Sequence, residues 1–146
     1  MIIEFVIPGD PVAKQRARSV RYGNSVHHYT PEKTVTYERQ VAVLGKQAMR
    51  GRSLIVSAVA VTMDICLAVP KSWPRTKRQA ALDGLELPIN KPDSDNVVKA
   101  VFDGLNKAVW KDDSQVVDLV LSKRYSENPC VNIRIEQIAA LKGNLE

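Results

Sequence analysis

Five aspartates lie close together in a chain that is otherwise basic. Five of the nine aspartates fall between residues 93 and 113, namely Asp93, Asp95, Asp103, Asp112 and Asp113. Lys99 stands among them. Carboxylate oxygens are the ligands that Mg²⁺ and Mn²⁺ prefer, and these ions commonly bind through a few carboxylates together with substrate phosphates. Such an ion can generate an attacking hydroxide and neutralise the negative charge of a phosphodiester. A nearby lysine can contact the same phosphate. The segment is therefore a candidate divalent-metal site.

Two local elements are needed to position these carboxylates. A helix is predicted to begin near Asp93 and Asp95, where both carboxylates can point to one centre before helical spacing begins. Asp95, Lys99 and Asp103 then recur every four residues and form one stripe of the helix. Adjacent residues on a strand point to opposite faces. Asp112 and Asp113 follow Trp110 at the predicted start of the next strand, so only one of the two is expected to face the site of Asp93 and Asp95.

Two other interpretations of the acidic segment compete with a catalytic metal site. An EF-hand calcium loop starting at Asp93 is excluded, because Val98 occupies the position of the required glycine and Gly104 that of the bidentate glutamate. A structural interpretation stays open. In that case the segment holds a helix N-cap, an exposed ion pair one helical turn apart and an acidic turn, all of which are common features.

The net charge of +5 is unevenly distributed along the chain. Two basic stretches precede the acidic segment, one with Lys14, Arg16, Arg18 and Arg21 and one with Lys71, Arg75, Lys77 and Arg78. Lysine and arginine attract phosphates, whereas carboxylates concentrate cations, so this separation suits a polyanion bound around a metal centre. A solvated basic surface without a ligand is the alternative.

Both basic stretches supply candidates for nucleic-acid binding. Lys14, Arg16 and Arg18 are predicted to contact phosphates, for which the planar guanidinium fork is well suited. The second stretch adds Lys71, Trp73, Arg75, Lys77 and Arg78. Trp73 can either stack on an unpaired base or anchor its own loop to the domain, and both interpretations stay open.

Length and composition limit the remaining classes of protein and of functional site. A chain of 146 residues is predicted to be one domain, and no apolar run approaches the roughly 20 residues needed to cross a membrane. The N-terminus lacks the features of a signal peptide, so a cytoplasmic location is expected. Cys66 and Cys130 are expected to be reduced thiols. Adjacent His27 and His28 lack the spacing of a helical zinc pair. No nucleophile triad or glycine-rich phosphate loop is visible, so no organic cofactor is expected.

The predicted elements are a strand, a helix, a strand, a loop, a helix and two strands. Strands are predicted over residues 2–7, 54–69, 115–125 and 131–137, and main helices over about 31–51 and from about 93. Residues 14–25 are predicted to be a loop, and the last two strands a closing hairpin. Residues 71–90 are predicted to be a mobile basic loop with at most a short helix over 76–82. The expected fold is α+β, a small mixed β-sheet with two main helices packed on one face, in a single domain.

Three motifs in the acidic segment follow one another. Lys91–Lys99 reads Lys-Pro-Asp-Ser-Asp-Asn-Val-Val-Lys, residues 103–106 read Asp-Gly-Leu-Asn, and residues 112–116 read Asp-Asp-Ser-Gln-Val. Together they resemble the signature of the RusA family of Holliday-junction resolvases. Residues 7–16, 29–31 and 70–73 are also similar to the longer members often carried by phages and prophages, although Ala13 replaces a common proline. The resemblance spans nearly the whole chain, so residues 1–146 are expected to form one RusA-like domain.

The resemblance implies a homodimeric, Mg²⁺-dependent endonuclease that nicks two opposed strands of four-way or branched DNA during recombination and repair. It places Asp93, Asp95 and Asp113 at the essential acidic positions, with Asp112 as a further candidate ligand, and Lys99 at the catalytic lysine. A four-way junction is nearly two-fold symmetric, so an isologous dimer would present two sites about the same axis. A non-catalytic module that binds branched DNA is the competing hypothesis.

Overall fold

A computed structural model describes residues 1–15, 18–29 and 31–139, and the backbone alone of Arg18 and Tyr29. Its strands are β1 (Ile2–Pro8), β2 (Arg18–Tyr22), β3 (Ser25–Tyr29), β4 (Val59–Ala68), β5 (Val116–Ser126) and β6 (Cys130–Gln137). Its helices are α1 (Glu32–Met49), α2 (Arg75–Leu82) and α3 (Ser94–Leu105), with a single 3₁₀ turn at Asp113–Gln115.

The main sheet has four strands in the order β1-β6-β4-β5. The β1–β6 and β6–β4 pairs are antiparallel, and the β4–β5 pair is parallel. The long apolar strand β4 therefore lies inside the sheet, as its sequence predicts. The mixed sheet and the helices α1 and α3, which pack on each other and share one core with the sheet, confirm the predicted α+β fold.

The predicted closing hairpin of β5 and β6 is wrong. Both strands pair with β4, on its opposite edges, so the segment between Ser126 and Cys130 crosses the end of β4 instead of closing a hairpin. The turn residues in this segment are compatible with either path. The burial of β4 decides between the paths, because a strand in the sheet interior needs hydrogen-bonded neighbours on both edges.

The predicted loop over residues 14–25 is also wrong in part. β2 and β3 pair as a separate two-stranded hairpin in which Tyr22 opposes Ser25. Gly23 has a φ of 58°, a conformation that glycine adopts without steric cost and that two-residue hairpin turns require. The Gly-Asn dipeptide at the turn was the available signal, but the many basic residues obscured the alternation of the strands.

Two glycines bring α1 and α3 into close contact. A Cβ added at Gly104 of α3 would lie 2.7 Å from the Val41 Cβ and 2.8 Å from the Glu38 carbonyl oxygen of α1. A Cβ added at Gly45 of α1 would lie 2.8 Å from the Leu105 Cδ2. This close approach fixes the position of α3, which carries several of the predicted site residues.

The structure also bears on the predictions about membrane-spanning segments and about the two cysteines. No helix within the described ranges is long and apolar enough to cross a membrane. Cys66 and Cys130 are free thiols that oppose each other on β4 and β6. Burial, together with the nearby Asp64 carboxylate, raises the pKa of Cys66 to about 12, so this thiol stays protonated at neutral pH.

Candidate active site

A cleft of about 430 Å³ lies between α3 and the beginning of β5. Its polar side chains come from Asp95, Lys99, Asp113 and Asp118, and its apolar wall includes Val98, Phe102 and Val116. Three of the four residues predicted to be catalytic therefore line the same cleft. The i,i+4 spacing of Asp95 and Lys99 on α3 places both residues along one side of the helix.

The side chain of Asp113 is held by a partly buried hydrogen-bond network that sequence reasoning did not assign. The Trp110 Nε1–H donates to Asn106 Oδ1 at 2.7 Å, and Asn106 Nδ2 donates to Asp113 Oδ2 at 3.3 Å. Trp110 is fully buried and packs edge-on against Phe102. Because Trp110 can only donate, it fixes the orientation of the Asn106 amide, and this orientation directs the amide N–H at Asp113. The Asn in the Asp-Gly-Leu-Asn motif was the signal for this role.

We expect Asn106→Ala to lower the free energy of unfolding by about 1–3 kcal/mol, because the buried Trp110 indole loses its acceptor. Asn106→Asp is the matched control, since it retains an acceptor for the indole but places a second carboxylate beside Asp113. It should keep more of the stability and still impair any function of Asp113. Urea unfolding measures both variants. Equal stability of Asn106→Ala and wild type would contradict the role of this hydrogen bond.

Asp112 has a different position from its neighbour. It caps the 3₁₀ turn: its Oδ2 accepts from the Ser114 N–H at 3.1 Å, and its own N–H donates to Gln115 Oε1 at 2.8 Å. The hydrogen bond from Ser114 lowers the pKa of Asp112. Asp112 does not line the cleft with Asp95 and Asp113. Asp113 thus shares a cleft with Asp95 but not with Asp93. Both adjacent aspartates precede β5 at the 3₁₀ turn, so the expected strand alternation is not what separates them. The role of Asp112 as a ligand stays a prediction.

Gln115, the last residue of that turn, ties it to the rest of the domain. Its Nε2 donates to the carbonyl oxygens of Ile55 and Ser57 at 2.8 and 2.9 Å. These residues precede β4 along the chain. The turn that carries Asp113 is therefore fixed to the segment that leads into β4.

Asp93 is the N-cap residue of α3, and its side chain makes no capping hydrogen bond. It lines a neighbouring cleft of about 460 Å³ with Lys14, Lys33, Lys91 and Asn96. The structure thus places Asp93 and Asp95 in the linings of two adjacent clefts at the start of one helix. Their predicted shared role in metal binding stays a prediction.

The described residues contain no group of three or more His, Cys, Asp or Glu side chains arranged to hold a metal ion. The donor chemistry of the cleft nevertheless fits Mg²⁺ or Mn²⁺. Asp95 and Asp113 supply carboxylate oxygens to one open cleft. Mg²⁺ commonly binds through one or two carboxylates, with waters and substrate phosphates completing its shell. Asp118 is a third carboxylate in the lining of this cleft.

Lys14 and Asp103 contact each other away from the cleft. Lys14 Nζ lies 3.1 Å from Asp103 Oδ2 and also donates to Glu38 Oε1, so one lysine bridges α1 and α3. Partial burial favours the neutral amine, but the hydrogen bonds from Lys14 to Glu38 and Asp103 outweigh it and raise the pKa of Lys14. The stabilisation by this bridge is complete below the ordinary pKa of 10.5 and is lost as pH rises through the higher folded-state pKa. The predicted phosphate contact of Lys14 remains untested.

The basic stretch at residues 71–78 is partly helical. α2 begins at Arg75, one residue before the predicted short helix. Trp73 packs edge-on against Tyr125 of β5 with the ring centroids 5.4 Å apart, and Lys77 Nζ lies 4.1 Å from the Trp73 ring centroid. These contacts support the anchoring interpretation of Trp73, and its stacking on an unpaired base stays a prediction. The side chains of Lys71, Arg75 and Arg78 are exposed.

The first basic stretch lies partly outside the described residues. Arg16 lies outside the described residues, and so does the side chain of Arg18 in β2. In the β2–β3 hairpin, His28 Nδ1 lies 2.8 Å from Ser19 Oγ, and His27 packs edge-on against Tyr22. The two histidines therefore contact different neighbours.

Comparison with known families agrees with the motifs and the cleft. A family model described as "Endodeoxyribonuclease RusA" matches residues 8–136, a range that contains α3, the 3₁₀ turn and the whole cleft. The chain belongs to the RusA endodeoxyribonuclease family. This family supports assignment of the protein as a nuclease that acts on DNA.

A relative of this RusA-family protein is found in Bacillus subtilis (strain 168). The relative is the uncharacterized protein YqaN, which is 39% identical over 140 residues. The match covers 94% of the present chain and 98% of YqaN. The similarity therefore extends over the full domain of both proteins.

Proposed function

We propose that this RusA-family protein is a Mg²⁺-dependent, structure-selective endodeoxyribonuclease that resolves Holliday junctions by paired symmetric nicks in DNA recombination and repair. The observation that carries the proposal is the single cleft lined by Asp95, Lys99 and Asp113. Family membership supplies the class of enzyme. The open form of the cleft would allow a DNA strand to reach these side chains.

The residues of the cleft have distinct proposed roles. Asp95 and Asp113 would hold the ion, with Asp93 contributing from the start of α3, and Mn²⁺ could replace Mg²⁺. When bound, the ion would supply an activated water and neutralise charge on the scissile phosphate. Lys99, one turn from Asp95, would contact that phosphate and stabilise the charge that develops on it. Asn106 would keep the Asp113 carboxylate in place.

A non-catalytic module for branched DNA is the competing function. Two of the aspartates do have structural contacts, since Asp103 pairs with Lys14 and Asp112 caps the 3₁₀ turn. Among the described residues, however, no ion pair involves Asp95 or Lys99, and both side chains are exposed. Exposed acid and lysine side chains beside a held carboxylate suit catalysis better than scaffolding.

A synthetic four-way junction with one labelled strand at a time tests the proposal. The wild-type protein with Mg²⁺ should produce nicks at symmetric positions in two opposed strands, and EDTA should abolish them. A linear duplex of the same sequence is the control and should stay intact. Junction binding without cleavage in either Mg²⁺ or Mn²⁺ would overturn the nuclease proposal and favour the binding module.

We expect removal of predicted phosphate contacts to weaken junction binding in a salt-dependent way. The replacements Arg16→Ala with Arg18→Ala, or Arg75→Ala with Arg78→Ala, should each reduce the log–log slope of affinity against salt by about one per lost contact. Lys46→Ala, in the last turn of α1, is the control for a lost surface charge. Fluorescence anisotropy over a salt series measures the slope, and an unchanged slope would count against a phosphate role for that pair.

A further inference from the structure

Lys123 is a charged residue on the core-facing side of β5. In the parallel register of β4 and β5 it lies beside Ile65, as Leu121 lies beside Met63, and both β4 residues are fully buried. Side chains two residues apart on a strand share one face of the sheet. Lysine rarely occupies the core-facing side of a sheet unless its ammonium group has hydrogen-bond acceptors. The contacts of Lys123 explain why it occupies this position.

The acceptors for Lys123 are two backbone carbonyl groups. Its Nζ donates to the carbonyl oxygen of Asn90 at 2.9 Å and to that of Pro92 at 3.1 Å. Among the described residues, no carboxylate lies within ion-pair distance of Lys123. An ammonium group has three donors and no acceptor, so it can hold two carbonyl oxygens at once. Lys123 thus joins β5 to the segment that leads into α3.

This segment, residues 87–92, is called the α3 approach here and has few other attachments. Leu87 and Ile89 are 61% and 87% exposed. Within the described part of the chain, the hydrogen bonds that attach the α3 approach to the rest of the domain are the two from Lys123. Pro92 has no N–H with which to form another. The position of the α3 approach therefore depends on Lys123.

The α3 approach ends directly before Asp93, whose side chain is not fixed by its own helix. Asp93 makes no capping hydrogen bond to α3. The helix itself is held by other contacts, since Gly104 packs closely against α1 and the Lys14 N–H donates to the Asn96 carbonyl oxygen at 2.8 Å. Loss of the Lys123 ammonium group would therefore release the backbone before Asp93 while most of α3 stays in place.

We propose that Lys123 is a positioning residue for the nuclease reaction: by holding the backbone directly before Asp93, it keeps that carboxylate at the candidate metal site. The inference rests on the proposed function, in which Asp93 contributes to metal binding from the start of α3. Residues that orient metal ligands without touching the ion typically change metal affinity or activity by about 10–100-fold when they are replaced. Lys123 lies in β5, outside the three acidic motifs of the sequence.

A Mg²⁺ titration of junction cleavage under single-turnover conditions tests this role. Lys123→Met keeps a long side chain but removes its donors, so it should raise the Mg²⁺ concentration for half-maximal cleavage about tenfold. Junction affinity in EDTA should not change. Arg124→Met is the matched control, because it removes the neighbouring cation, which pairs with Asp64 on the opposite face of the sheet. An unchanged midpoint in Lys123→Met, or an equal rise in Arg124→Met, would overturn the positioning role.

A double replacement tests whether Lys123 acts through Asp93. At a fixed Mg²⁺ concentration, adding Lys123→Met to Asp93→Asn should lower the cleavage rate little further, because the carboxylate that Lys123 positions is already lost. If the two separate losses multiply in the double variant, Lys123 does not act through Asp93 and the inference fails.

Amide hydrogen exchange in the free protein tests the contact without relying on cleavage. The Val97 N–H donates to the Asp93 carbonyl oxygen at 3.2 Å, so its exchange reports on the backbone at the start of α3. It should exchange about tenfold faster in Lys123→Met, with the amides of α1 unchanged and Arg124→Met like the wild type. Unchanged exchange at Val97, or faster exchange throughout the protein, would contradict the proposed contact.

The outcomes also separate this inference from the nuclease proposal. Junction cleavage by the wild type, with Lys123→Met behaving like the wild type, would leave the nuclease proposal standing and remove the positioning role. If the wild type does not cleave, Mn²⁺ binding followed by electron paramagnetic resonance replaces the titration. Weaker Mn²⁺ binding in Lys123→Met than in Arg124→Met would then keep the positioning role alone, and equal binding would remove it as well.

Discussion

Replacing Asp113 with asparagine is expected to lower junction cleavage by about 10²–10³-fold while junction binding is retained. Asp113 lines the same cleft as Asp95 and Lys99 and receives a hydrogen bond from Asn106. Asparagine has nearly the same shape but lacks the negative charge, so it would bind a divalent cation weakly. The catalytic effect should therefore exceed any effect on folding. Single-turnover cleavage at saturating protein measures the change independently of affinity.

Asp112→Asn is the matched control for this substitution, since it alters the adjacent residue in the same way. Asparagine is as good an N-cap as aspartate, so the 3₁₀ turn should persist. If Asp112 serves as a cap, cleavage should stay within a few-fold of wild type. A large loss in Asp112→Asn would make it a ligand, as the sequence prediction allows. Full cleavage by Asp113→Asn would contradict the proposed site.

Asp93→Asn tests whether the two clefts at the start of α3 act together. Asp93 lines the neighbouring lysine-rich cleft instead of the one that contains Asp95. If Asp93 is a ligand in the DNA complex, its loss should resemble that of Asp113. If it acts only at the helix start, cleavage should fall far less, because asparagine also serves well as an N-cap.

Gly104→Ala is expected to destabilise the domain by about 2 kcal/mol or more, even though alanine is the better helix former. The added Cβ would lie 2.8 Å from the Glu38 carbonyl oxygen, a backbone atom of α1 that cannot move without moving the helix. At about 2–4 °C per kcal/mol, the Tm should fall by about 4–8 °C. Because α3 carries Asp95 and Lys99, the displaced helix should also lower cleavage.

Gly45→Ala provides the comparison, since it places the same methyl group on the other helix of this contact. Its nearest atoms are the side-chain ends Leu105 Cδ2 and Val109 Cγ2, at 2.8 and 2.9 Å, which can shift more easily than backbone. The loss of stability should therefore be smaller than for Gly104→Ala. Differential scanning calorimetry measures both. Equal or reversed losses would mean that the backbone contact at Glu38 does not limit how closely the helices approach.

Local spacing was enough to predict much of this protein. The four-residue repeat of Asp95, Lys99 and Asp103 predicted a stripe on a helix, and α3 has this helix over Ser94–Leu105. The apolar run over residues 54–69 predicted a central strand, and β4 forms this strand over the shorter range Val59–Ala68. The three acidic motifs indicated the family. These properties depend on neighbours in sequence, whose relative positions are set by the geometry of a single helix or strand.

The pairing of distant segments could not be obtained in the same way. The residues between β5 and β6 suit a hairpin as well as a crossing, and the buried position of β4 between them decided the topology. Likewise, Lys14 looks like a phosphate ligand in sequence, but it lies between Glu38 and Asp103, which are supplied by two helices. Whether a side chain is available to bind a phosphate depends on which residues, distant in sequence, pack beside it.

The sequence by itself determined the acidic and lysine residues, the helix that spaces them and the family to which the chain belongs. Only the tertiary structure decided that Asp113 faces Asp95 and Lys99, that Asp112 caps a turn and that Lys123 holds the backbone before Asp93. The physical reason is that helical and strand periodicity are local, whereas the orientation of one aspartate relative to a helix depends on the hydrogen bonds and packing of the whole core.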